Sequence, residues 1–289
     1  MKNAYLILAH TNPEQIKLLI DNLDYLQSTA FFIHIDAKSK IEKKLRTYLG
    51  KRSNVFFVAD RIKVCWGGVS IVEATLKLLR MAYEYHKKDT KVYFHLISGM
   101  DFPLKSNVHI NDSLVEDYGV QYIEYNRLPY KGWSNNGGID RIKYYWLMDD
   151  LEQKETYKLY VIQKELGMVN RNYSKTLPYY GGSQWWSITI DCARYVLYKT
   201  KNRRFIDMFK LTYCPDEFFF YFLIIRSGKF NIVNNNLRYI DWVSGPTYPK
   251  MLNMSDVNKI KLSDCLFARK INARNTPELV EYLINKIGD

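Results

Sequence analysis

Strand-like and helix-like segments alternate along the first hundred residues of this chain, and this alternation constrains the fold more than any other feature. Short apolar runs rich in β-branched and aromatic residues predict buried strands, and the amphipathic stretches between them predict helices. The predicted strands are 5–9, 31–35, 55–58 and 92–97, and the predicted helices are 12–25, 41–49 and 69–85. Strands joined by helices pair in parallel through right-handed crossovers. We therefore expect an α/β fold with a mostly parallel, Rossmann-like sheet flanked by helices.

Polar and aromatic side chains follow these predicted strands. His10, Asp36, Trp66 and Asp101 come after the first, second, third and fourth strand in turn. Ligands of open parallel sheets bind beyond the carboxyl ends of the strands, so the sequence predicts a binding site there. Trp66 fits packing on a ligand and ordinary core packing equally well. Asp101 can instead brace its loop through Asx-type hydrogen bonds.

The second half of the chain is less regular than the first. Its predicted elements are a strand at 121–125, a Gly- and Asn-rich loop at 132–138, a polar helix at 141–165 and a strand at 181–189 entered through a glycine turn. We find no internal repeat, low-complexity tract or linker in the 289 residues. One domain spanning 1–289 is therefore the economical prediction.

A proline followed by two acidic residues opens the most apolar helix-like run of the chain. Cys214, Pro215, Asp216 and Glu217 precede the aromatic and aliphatic run 218–225. Proline and carboxylates are favoured in the first turn of a helix, so capping of a buried helix is one interpretation. A carboxylate fixed at a helix start against an aromatic wall is also well placed to act as a general base. The pattern alone leaves both interpretations open.

The chain carries a strong positive charge. Lys and Arg number 42 against 30 Asp and Glu, which gives a formal net charge of +12. This charge suits a phosphorylated substrate, an anionic membrane surface or another polyanion. No zinc-finger spacing, basic zipper or RNP-like aromatic signature accompanies it, so we expect no nucleic-acid partner.

Cysteine usage and hydropathy indicate a reduced, cytoplasmic protein. The four cysteines lie far apart and include no Cys-x-x-Cys pair, so we expect neither a zinc site nor a disulfide framework. The first apolar run is too short for a signal peptide. No segment reaches the ~18 apolar residues of a membrane-spanning helix.

The common phosphate-binding and nucleophile motifs are missing from the sequence. There is no Gly-x-Gly-x-x-Gly after the first predicted strand, no Walker-type loop and no Gly-x-Ser-x-Gly. Dinucleotide oxidoreductases, P-loop enzymes and the simplest serine hydrolases are therefore excluded. The sequence also lacks Asp-x-Asp, a pair that binds a divalent metal and a nucleotide-sugar diphosphate. Asp150-Leu151-Glu152 comes nearest, and we expect it to face solvent.

Four short motifs occur in a fixed order along the chain. They are His34-Ile35-Asp36-Ala37-Lys38-Ser39, Ile97-Ser98-Gly99-Met100-Asp101-Phe102-Pro103, Cys214-Pro215-Asp216-Glu217 and Leu266-Phe267-Ala268-Arg269-Lys270. Together they resemble the Core-2/I-branching β-1,6-N-acetylglucosaminyltransferase family, which also includes the peptide O-xylosyltransferases. The resemblance runs from Tyr5 to about Lys270, nearly the whole chain.

The resemblance implies a GT-A-like fold and an inverting glycosyl transfer that needs no metal ion or other cofactor. The general base of the family matches Glu217. Basic side chains near the C-terminus neutralise the donor diphosphate in this family. One matches Lys270 and the other corresponds to Lys250. Arg238 and Arg269 are the alternative candidates for this role. The missing Asp-x-Asp agrees with this, because a leaving diphosphate needs some cation to stabilise it. On the pattern alone, Arg269 and Lys270 also fit a solvated helix end.

The resemblance further divides the chain into a nucleotide-sugar-binding half, about 1–120, and an acceptor-binding and catalytic half, about 121–289. In the first half, Asp36 matches a residue that meets the uridine, and His10 matches a contact near the base. Trp66 can pack on that base. Asp101 lies close to where related folds hold a metal.

In the second half, Glu124 matches a family carboxylate that hydrogen-bonds sugar hydroxyls. Trp185 and Trp186 can form a platform for a sugar ring, although alternation along a strand turns one of the two into the core. The other predicted acceptor contacts are Arg127, Arg141, Lys143, Ser183 and Gln184.

The function predicted from these features is transfer of a sugar, foremost N-acetylglucosamine, from a UDP-sugar to a hydroxyl of a glycan or lipid-linked glycan. We expect the protein to act in bacterial surface polysaccharide synthesis. Peripheral association with the anionic inner face of the membrane is compatible with its positive charge. UDP-xylose and UDP-glucose are alternative donors. A non-catalytic glycan-binding module that keeps the fold is the rival from another class.

Overall fold

A seven-stranded sheet and a smaller three-stranded sheet organise the structure, a computed structural model that describes residues 1–25, 27–170, 173–245 and 249–288. In chain order the strands are β1 (Lys2–Ala9), β2 (Thr29–Ile35), β3 (Val55–Phe57), β4 (Val92–Ser98), β5 (Phe102–Pro103), β6 (Val120–Arg127), β7 (Tyr180–Thr189), β8 (Asn231–Val233), β9 (Arg238–Ile240) and β10 (Phe267–Arg269). The four strands predicted in the first hundred residues are all present.

Helices connect and cover these strands. They are α1 (Pro13–Leu23), α2 (Glu42–Leu49), α3 (Ser70–His86), α4 (Asn107–Glu116), α5 (Ser134–Gly137), α6 (Ile139–Lys143), α7 (Gln153–Glu165), α8 (Ile190–Lys199), α9 (Arg203–Asp207), α10 (Phe219–Ser227), α11 (Val257–Lys261) and α12 (Pro277–Gly288). Two 3-10 turns, Pro215–Glu217 and Met254–Asp256, precede α10 and α11. Within the described part of the chain, no helix combines the length and the apolar character needed to cross a membrane.

The large sheet is mostly parallel, as the sequence predicts. Its strand order is β3-β2-β1-β4-β7-β6-β8. β7 runs antiparallel to both of its neighbours, β4 and β6, whereas every other adjacent pair is parallel. Because strands between residue 2 and residue 233 share this sheet, the two predicted halves of the chain are joined through it. Their division near residue 120 stays a prediction.

Helices cover both faces of the sheet, which explains why its strands are apolar along their whole length. Along β1, Ala4 and Leu6 pack into the cluster formed with α3, α8 and α10. Tyr5 and Ile7 point the other way, toward α1, α2 and α4. Successive strand residues face opposite sides, so every second apolar residue serves a different core. The carboxyl ends of β1, β2 and β4 are thereby held rigidly at one edge.

The small sheet carries the C-terminal segment to that same edge. β10 lies between β5 and β9, antiparallel to the first and parallel to the second. Just after β10, the Ile271 amide donates to the Met100 carbonyl at 2.9 Å. Arg269 and Lys270 therefore lie beside the end of β4, although about 170 residues separate them from it in the sequence.

The polar helix predicted at 141–165 is wrong. The structure has α6 and α7 there, separated by a segment in which Tyr144, Trp146 and Met148 are buried and their neighbours are less so. Trp146 stacks on Tyr160 of α7 with ring centroids 4.7 Å apart. This alternate burial stabilises an extended segment, which overrides the helix-forming tendency of the polar residues around it.

The glycine turn predicted before the strand at 181–189 is also wrong, because both glycines lie inside β7. The pairing register of β6 and β7 shifts between Ile123 and Tyr125. At this irregularity the two backbones approach so closely that a Cβ on Gly182 would overlap the Glu124 carbonyl oxygen. A glycine is needed in this strand for close approach of the backbones.

Candidate active site

A cleft of about 280 Å³ opens at the carboxyl ends of β1, β2 and β4. Its walls come from the loops after these strands, from the loop before α3, from β7 and from the end of β10. The lining residues are Leu8, Ala9, His10, Thr11, His34, Asp36, Val64, Trp66, Ile71, Ser98, Gly99, Met100, Gln184, Trp185, Arg269 and Lys270. The cleft lies where the sequence predicts a binding site, beyond the carboxyl ends of the strands.

Three residues predicted to contact a nucleotide lie together in this cleft. His10 is exposed after β1, and its carbonyl accepts a hydrogen bond from the Ser39 hydroxyl at 2.7 Å. Asp36 directly follows β2 and accepts a hydrogen bond from the Lys38 amide at 2.9 Å. Trp66 is 62% exposed, so it is not a core residue. An exposed indole and a carboxylate on one cleft can pack on a ring and accept hydrogen bonds from it.

His34 lines the cleft but is uncharged there. Its Nε2 atom accepts a hydrogen bond from the Ile62 amide at 2.9 Å. Burial lowers the pKa of this imidazole to about 4. The positive charge of the cleft near neutral pH therefore comes from other residues.

Asp101, the fourth predicted residue, lies outside the cleft. It is fully buried, and its Oδ2 atom accepts hydrogen bonds from the Ser98 amide at 2.8 Å and the Ser98 hydroxyl at 2.5 Å. This is the loop-bracing role that the sequence left open. Its carboxylate also favours the charged forms of Arg238 and Arg269, against the burial that lowers the pKa of both.

β7 brings one tryptophan to the cleft and turns the next into the core. Trp185 lines the cleft, whereas Trp186 is fully buried against Phe220. Because β7 is antiparallel to β4, its residues before Ser187 lie at the carboxyl end of β4. Gln184, beside Trp185, has a buried Nε2 atom without a hydrogen-bond partner among the described residues.

Two cations from the end of β10 face the cleft. The guanidinium carbon of Arg269 lies 3.9 Å from the Trp185 ring centroid, and Arg269 is buried. Its Nε and Nη1 atoms have no hydrogen-bond partner among the described residues. Lys270 is partly buried, and desolvation together with the charge of Arg269 lowers its pKa. The unmet donors of the buried Arg269 favour binding of an anion, whose negative charge would also suit the neighbouring Lys270.

The other two predicted cations do not reach the cleft. Arg238 is buried, and its guanidinium donates to the Leu96, Trp186 and Asn236 carbonyls and to the Ser187 hydroxyl. The amine of Lys250 is 2.6 Å from Asp256, whose side chain is almost fully buried. Both charges are used inside the protein, which argues against a role for either in binding a diphosphate.

Glu217 lies in a turn attached to the wall of the cleft. It ends the 3-10 turn Pro215–Glu217, and the Cys214 amide before that turn donates to the Gly67 carbonyl at 2.9 Å, next to Trp66. Its carboxylate is 25% exposed and accepts a hydrogen bond from Arg141 at 2.5 Å. Burial raises the pKa of Glu217, and the Arg141 guanidinium opposes that shift.

Asp216, beside Glu217, is not a helix cap. It lies inside the 3-10 turn, whose N-cap residue is Cys214, and α10 begins only at Phe219. Burial and the charge of Glu217 raise the pKa of Asp216 to about 7. The turn thus holds two neighbouring acids, of which the less buried one is paired with a cation.

The remaining residues predicted to contact the acceptor, Glu124, Arg127 and Ser183, do not form one cluster. Glu124 is partly buried, receives a hydrogen bond from the Asn236 side chain at 2.6 Å, and has a raised pKa because of burial. Its charge, like that of Glu217, raises the pKa of the buried Tyr221 hydroxyl. Arg127 is exposed at the end of β6, and Ser183 is buried, with its hydroxyl accepting a hydrogen bond from the Trp185 amide at 3.4 Å. These two residues do not line the cleft.

The sequence did not point to Asp149, which fixes the loop that carries Trp66. Its carboxylate accepts hydrogen bonds from the Val69 amide at 2.6 Å and the Ser70 amide at 3.3 Å at the start of α3. This role is not visible in the sequence. An acidic residue that stabilises a helix N-terminus is normally sought in the first turn of that helix, whereas Asp149 follows α3 by more than sixty residues. The described residues hold no cluster of three or more His, Cys, Asp or Glu side chains suited to bind a metal ion.

Known proteins similar to this chain include an N-acetylglucosaminyltransferase and xylosyltransferases. A bovine (Bos taurus) β-1,3-galactosyl-O-glycosyl-glycoprotein β-1,6-N-acetylglucosaminyltransferase is 25% identical over 223 residues, covering 74% of this chain and 46% of the relative. Human xylosyltransferase 2 is 24% identical over 247 residues, covering 83% of this chain and 26% of the relative. The xylosyltransferase sqv-6 of Caenorhabditis briggsae is 22% identical over 236 residues, covering 80% and 27%. The chain thus spans less than half the length of these curated relatives.

A crystal structure of mouse xyloside xylosyltransferase 1 in its apo form covers 95% of this chain and 99% of its own. The sequence identity is 11% and the TM-score is 0.38. The decisive match is to the family model of the Core-2/I-branching enzymes, which spans residues 3–264. The chain therefore belongs to the Core-2/I-branching enzyme family of glycosyltransferases.

Proposed function

We propose that this protein is an inverting glycosyltransferase that moves a sugar from a UDP-sugar to a hydroxyl of a glycan. One observation carries the proposal: Arg269, whose buried Nε and Nη1 atoms have no partner among the described residues, and Lys270 bring two cations to a cleft that also holds an exposed tryptophan and Asp36. Trp66 and Asp36 suit a base and its ribose, and the cations suit the diphosphate that follows them in a nucleotide sugar.

The cations also suit the chemistry of the leaving group. When the bond between the anomeric carbon and the diphosphate breaks, its electron pair stays with UDP, whose terminal phosphate gains negative charge. Arg269 is held against Trp185 and so is positioned before that charge develops, and preorganised donors of this kind stabilise a transition state. We propose that this pair of cations serves instead of a metal ion.

Glu217 is the proposed general base. The acceptor hydroxyl gives its proton to the Glu217 carboxylate while its oxygen bonds to the anomeric carbon, opposite the departing UDP. The turn that carries Glu217 is hydrogen-bonded to the backbone next to Trp66, which supports a short distance between base and donor. A partly buried carboxylate with a raised pKa accepts a proton better than an exposed one.

The finer assignments follow the relatives and the sequence. An N-acetylglucosaminyltransferase and xylosyltransferases are among the proteins similar to this chain, so N-acetylglucosamine is the first donor sugar to test and xylose the second, with glucose after them. We further propose a glycan or lipid-linked glycan acceptor in bacterial surface polysaccharide synthesis, at the cytoplasmic side of an anionic membrane.

The test is release of UDP from each of these three donors, with and without simple glycosides as acceptors. We expect slow UDP release from one donor, and we expect Glu217→Gln to lower turnover ~10²-fold or more while UDP binding is kept. Glu165→Gln, at the exposed end of α7, is the matched control and should behave like the wild type. Tight UDP-sugar binding without any UDP release would favour the non-catalytic module, and full activity in Glu217→Gln would remove Glu217 from the mechanism.

A further inference from the structure

The proposed base, Glu217, is paired with one cation, Arg141. The Nη1 atom of Arg141 lies 2.5 Å from Oε2 of Glu217, and their side chains are 13% and 25% exposed. Arg141 belongs to α6 and Glu217 to the turn before α10, 76 residues later. An ion pair this short and this shielded from water restricts both side chains to one arrangement.

Aromatic rings and the backbone hold Arg141 in turn. Its guanidinium carbon lies 4.5 Å from the Trp133 ring centroid and 5.6 Å from that of Tyr213. The Arg141 carbonyl accepts a hydrogen bond from the Tyr213 amide at 3.0 Å, so α6 is tied to the segment that leads into Glu217. A guanidinium stacked on two rings has few alternative rotamers.

We propose that Arg141 is a positioning residue for Glu217: it fixes one carboxylate oxygen so that the other faces the acceptor hydroxyl, and it keeps the carboxylate ionised until that hydroxyl binds. This inference rests on the proposed function. It differs from the sequence prediction, in which Arg141 contacts the acceptor directly.

The hydrogen bonds around the carboxylate support the division of labour between its two oxygens. Arg141 occupies Oε2. No residue in the described ranges donates a hydrogen bond to Oε1, so this oxygen is available to take the proton. A carboxylate with one oxygen bound and one free needs no rearrangement before the reaction, which lowers the cost of reaching the transition state.

Burial explains why the cation is needed, because burial is what raises the pKa of Glu217. Tyr213, Cys214 and Asp216 lie on the same segment as Glu217, and Tyr221 faces it from α10. Burial and the charge of Glu217 raise the pKa of all four, so the two tyrosines and the cysteine are neutral near pH 7. β7 and α3 also pack against the turn. Among the described residues, Arg141 supplies the one charge that lowers the pKa of Glu217. Without it, burial would favour the protonated acid, which cannot act as a base.

The test compares pH profiles of transfer for the wild type, Arg141→Met and Arg141→Lys. Loss of a close positive charge raises a carboxyl pKa by about 1–3 units, so the acidic limb of kcat/KM should move up by about that amount in Arg141→Met. Activity should fall about tenfold or more near pH 7, recover partly near pH 9, and be partly rescued by Arg141→Lys, while the Kd for UDP is unchanged. Arg203→Met, which removes an exposed arginine paired with Glu73, is the control and should shift nothing. An unshifted acidic limb with a raised acceptor KM would show that Arg141 only binds the acceptor.

A second measurement does not depend on activity. Arg141→Met leaves Glu217 partly buried and unpaired, so its urea midpoint near pH 8 should be lower than that of the wild type. Adding Glu217→Gln should restore most of the loss, because the neutral amide needs no cation. Additive effects of the two substitutions would overturn the proposal. If the two substitutions are coupled in stability but the wild type releases no UDP, the ion pair is supported and the proposed function is refuted.

Discussion

The pKa of Asp216 leads to a prediction about how stability depends on pH. Burial and the charge of Glu217 raise the pKa of this carboxyl to about 7 in the folded protein. In the unfolded chain an aspartate has a pKa of about 4. Between these two values the folded protein holds a proton that the unfolded chain has lost. The free energy of unfolding should therefore fall as the pH rises from about 4 to about 7.

The size of the effect follows from the pKa difference. At ~1.36 kcal/mol per unit, about three units correspond to ~4 kcal/mol between pH 4 and pH 8. Asp216→Asn keeps the shape of the side chain and removes its titration. Relative to the wild type, this variant should gain up to ~4 kcal/mol of stability over that range, with little difference at the acidic end. A helix cap would behave differently, because its replacement lowers stability at every pH.

Urea unfolding followed by tryptophan fluorescence can measure this difference. The free energies of unfolding of the wild type and Asp216→Asn are compared near pH 4, 6 and 8, so that all other titrating groups cancel. Asp112→Asn, on the exposed side of α4, is the control for an aspartate in water. If the wild type and Asp216→Asn give parallel profiles, Asp216 is ionised in the folded protein and the reasoning fails.

Three further predictions concern the cleft. Transfer should persist in EDTA; a large loss that Mn²⁺ or Mg²⁺ restores would contradict the proposed role of the cations. Lys270→Ala should raise the Kd for UDP about ten- to hundredfold, as expected for loss of a charge-assisted bond. Lys250→Ala should leave that Kd unchanged and cost about 3–5 kcal/mol of stability, because the buried Asp256 loses its cation. Isothermal titration measures the first effect and urea unfolding the second. Trp66→Ala should weaken UDP binding about five- to thirtyfold through lost stacking, and equal losses in Trp242→Ala, an exposed tryptophan that does not line the cleft, would argue against stacking.

The parts of the fold that the sequence predicts well depend on neighbouring residues. β1, β2 and β4 are apolar along their whole length because helices cover both faces, and such runs are recognisable without knowledge of the partner. The residues just after them, His10 and Asp36, reach the cleft for the same reason, since parallel strands end at one edge. The short motifs indicated Glu217 and Lys270 as site residues. The local sequence pattern alone could not distinguish Glu217 from a helix cap or Lys270 from a solvated helix end.

The parts that the sequence did not predict depend on distant contacts. Lys250 was expected to bind phosphate, but a buried acid six residues further on holds its amine. Arg269 of the small sheet stacks on Trp185 of the large sheet, and no local sequence pattern predicts that contact. The extended segment after α6 interrupts a helix-like sequence because Trp146 finds Tyr160 as a partner. In each case a tertiary contact decides the role of a residue whose local propensity suggested another.

The reversed strand β7 also sets a limit on how this protein can diversify. Trp185, at the cleft, and Gly182, in close contact with the Glu124 backbone, lie three residues apart on one strand. At about 3.3 Å per residue, the two are separated by roughly 10 Å. A strand hydrogen-bonded on both sides cannot lengthen or shorten like a loop, so the spacing between the cleft and the Glu124 backbone is fixed. New substrate preferences should therefore arise by exchange of side chains at either end of this spacing, and insertions that enlarge the cleft should fall in the loops before β7.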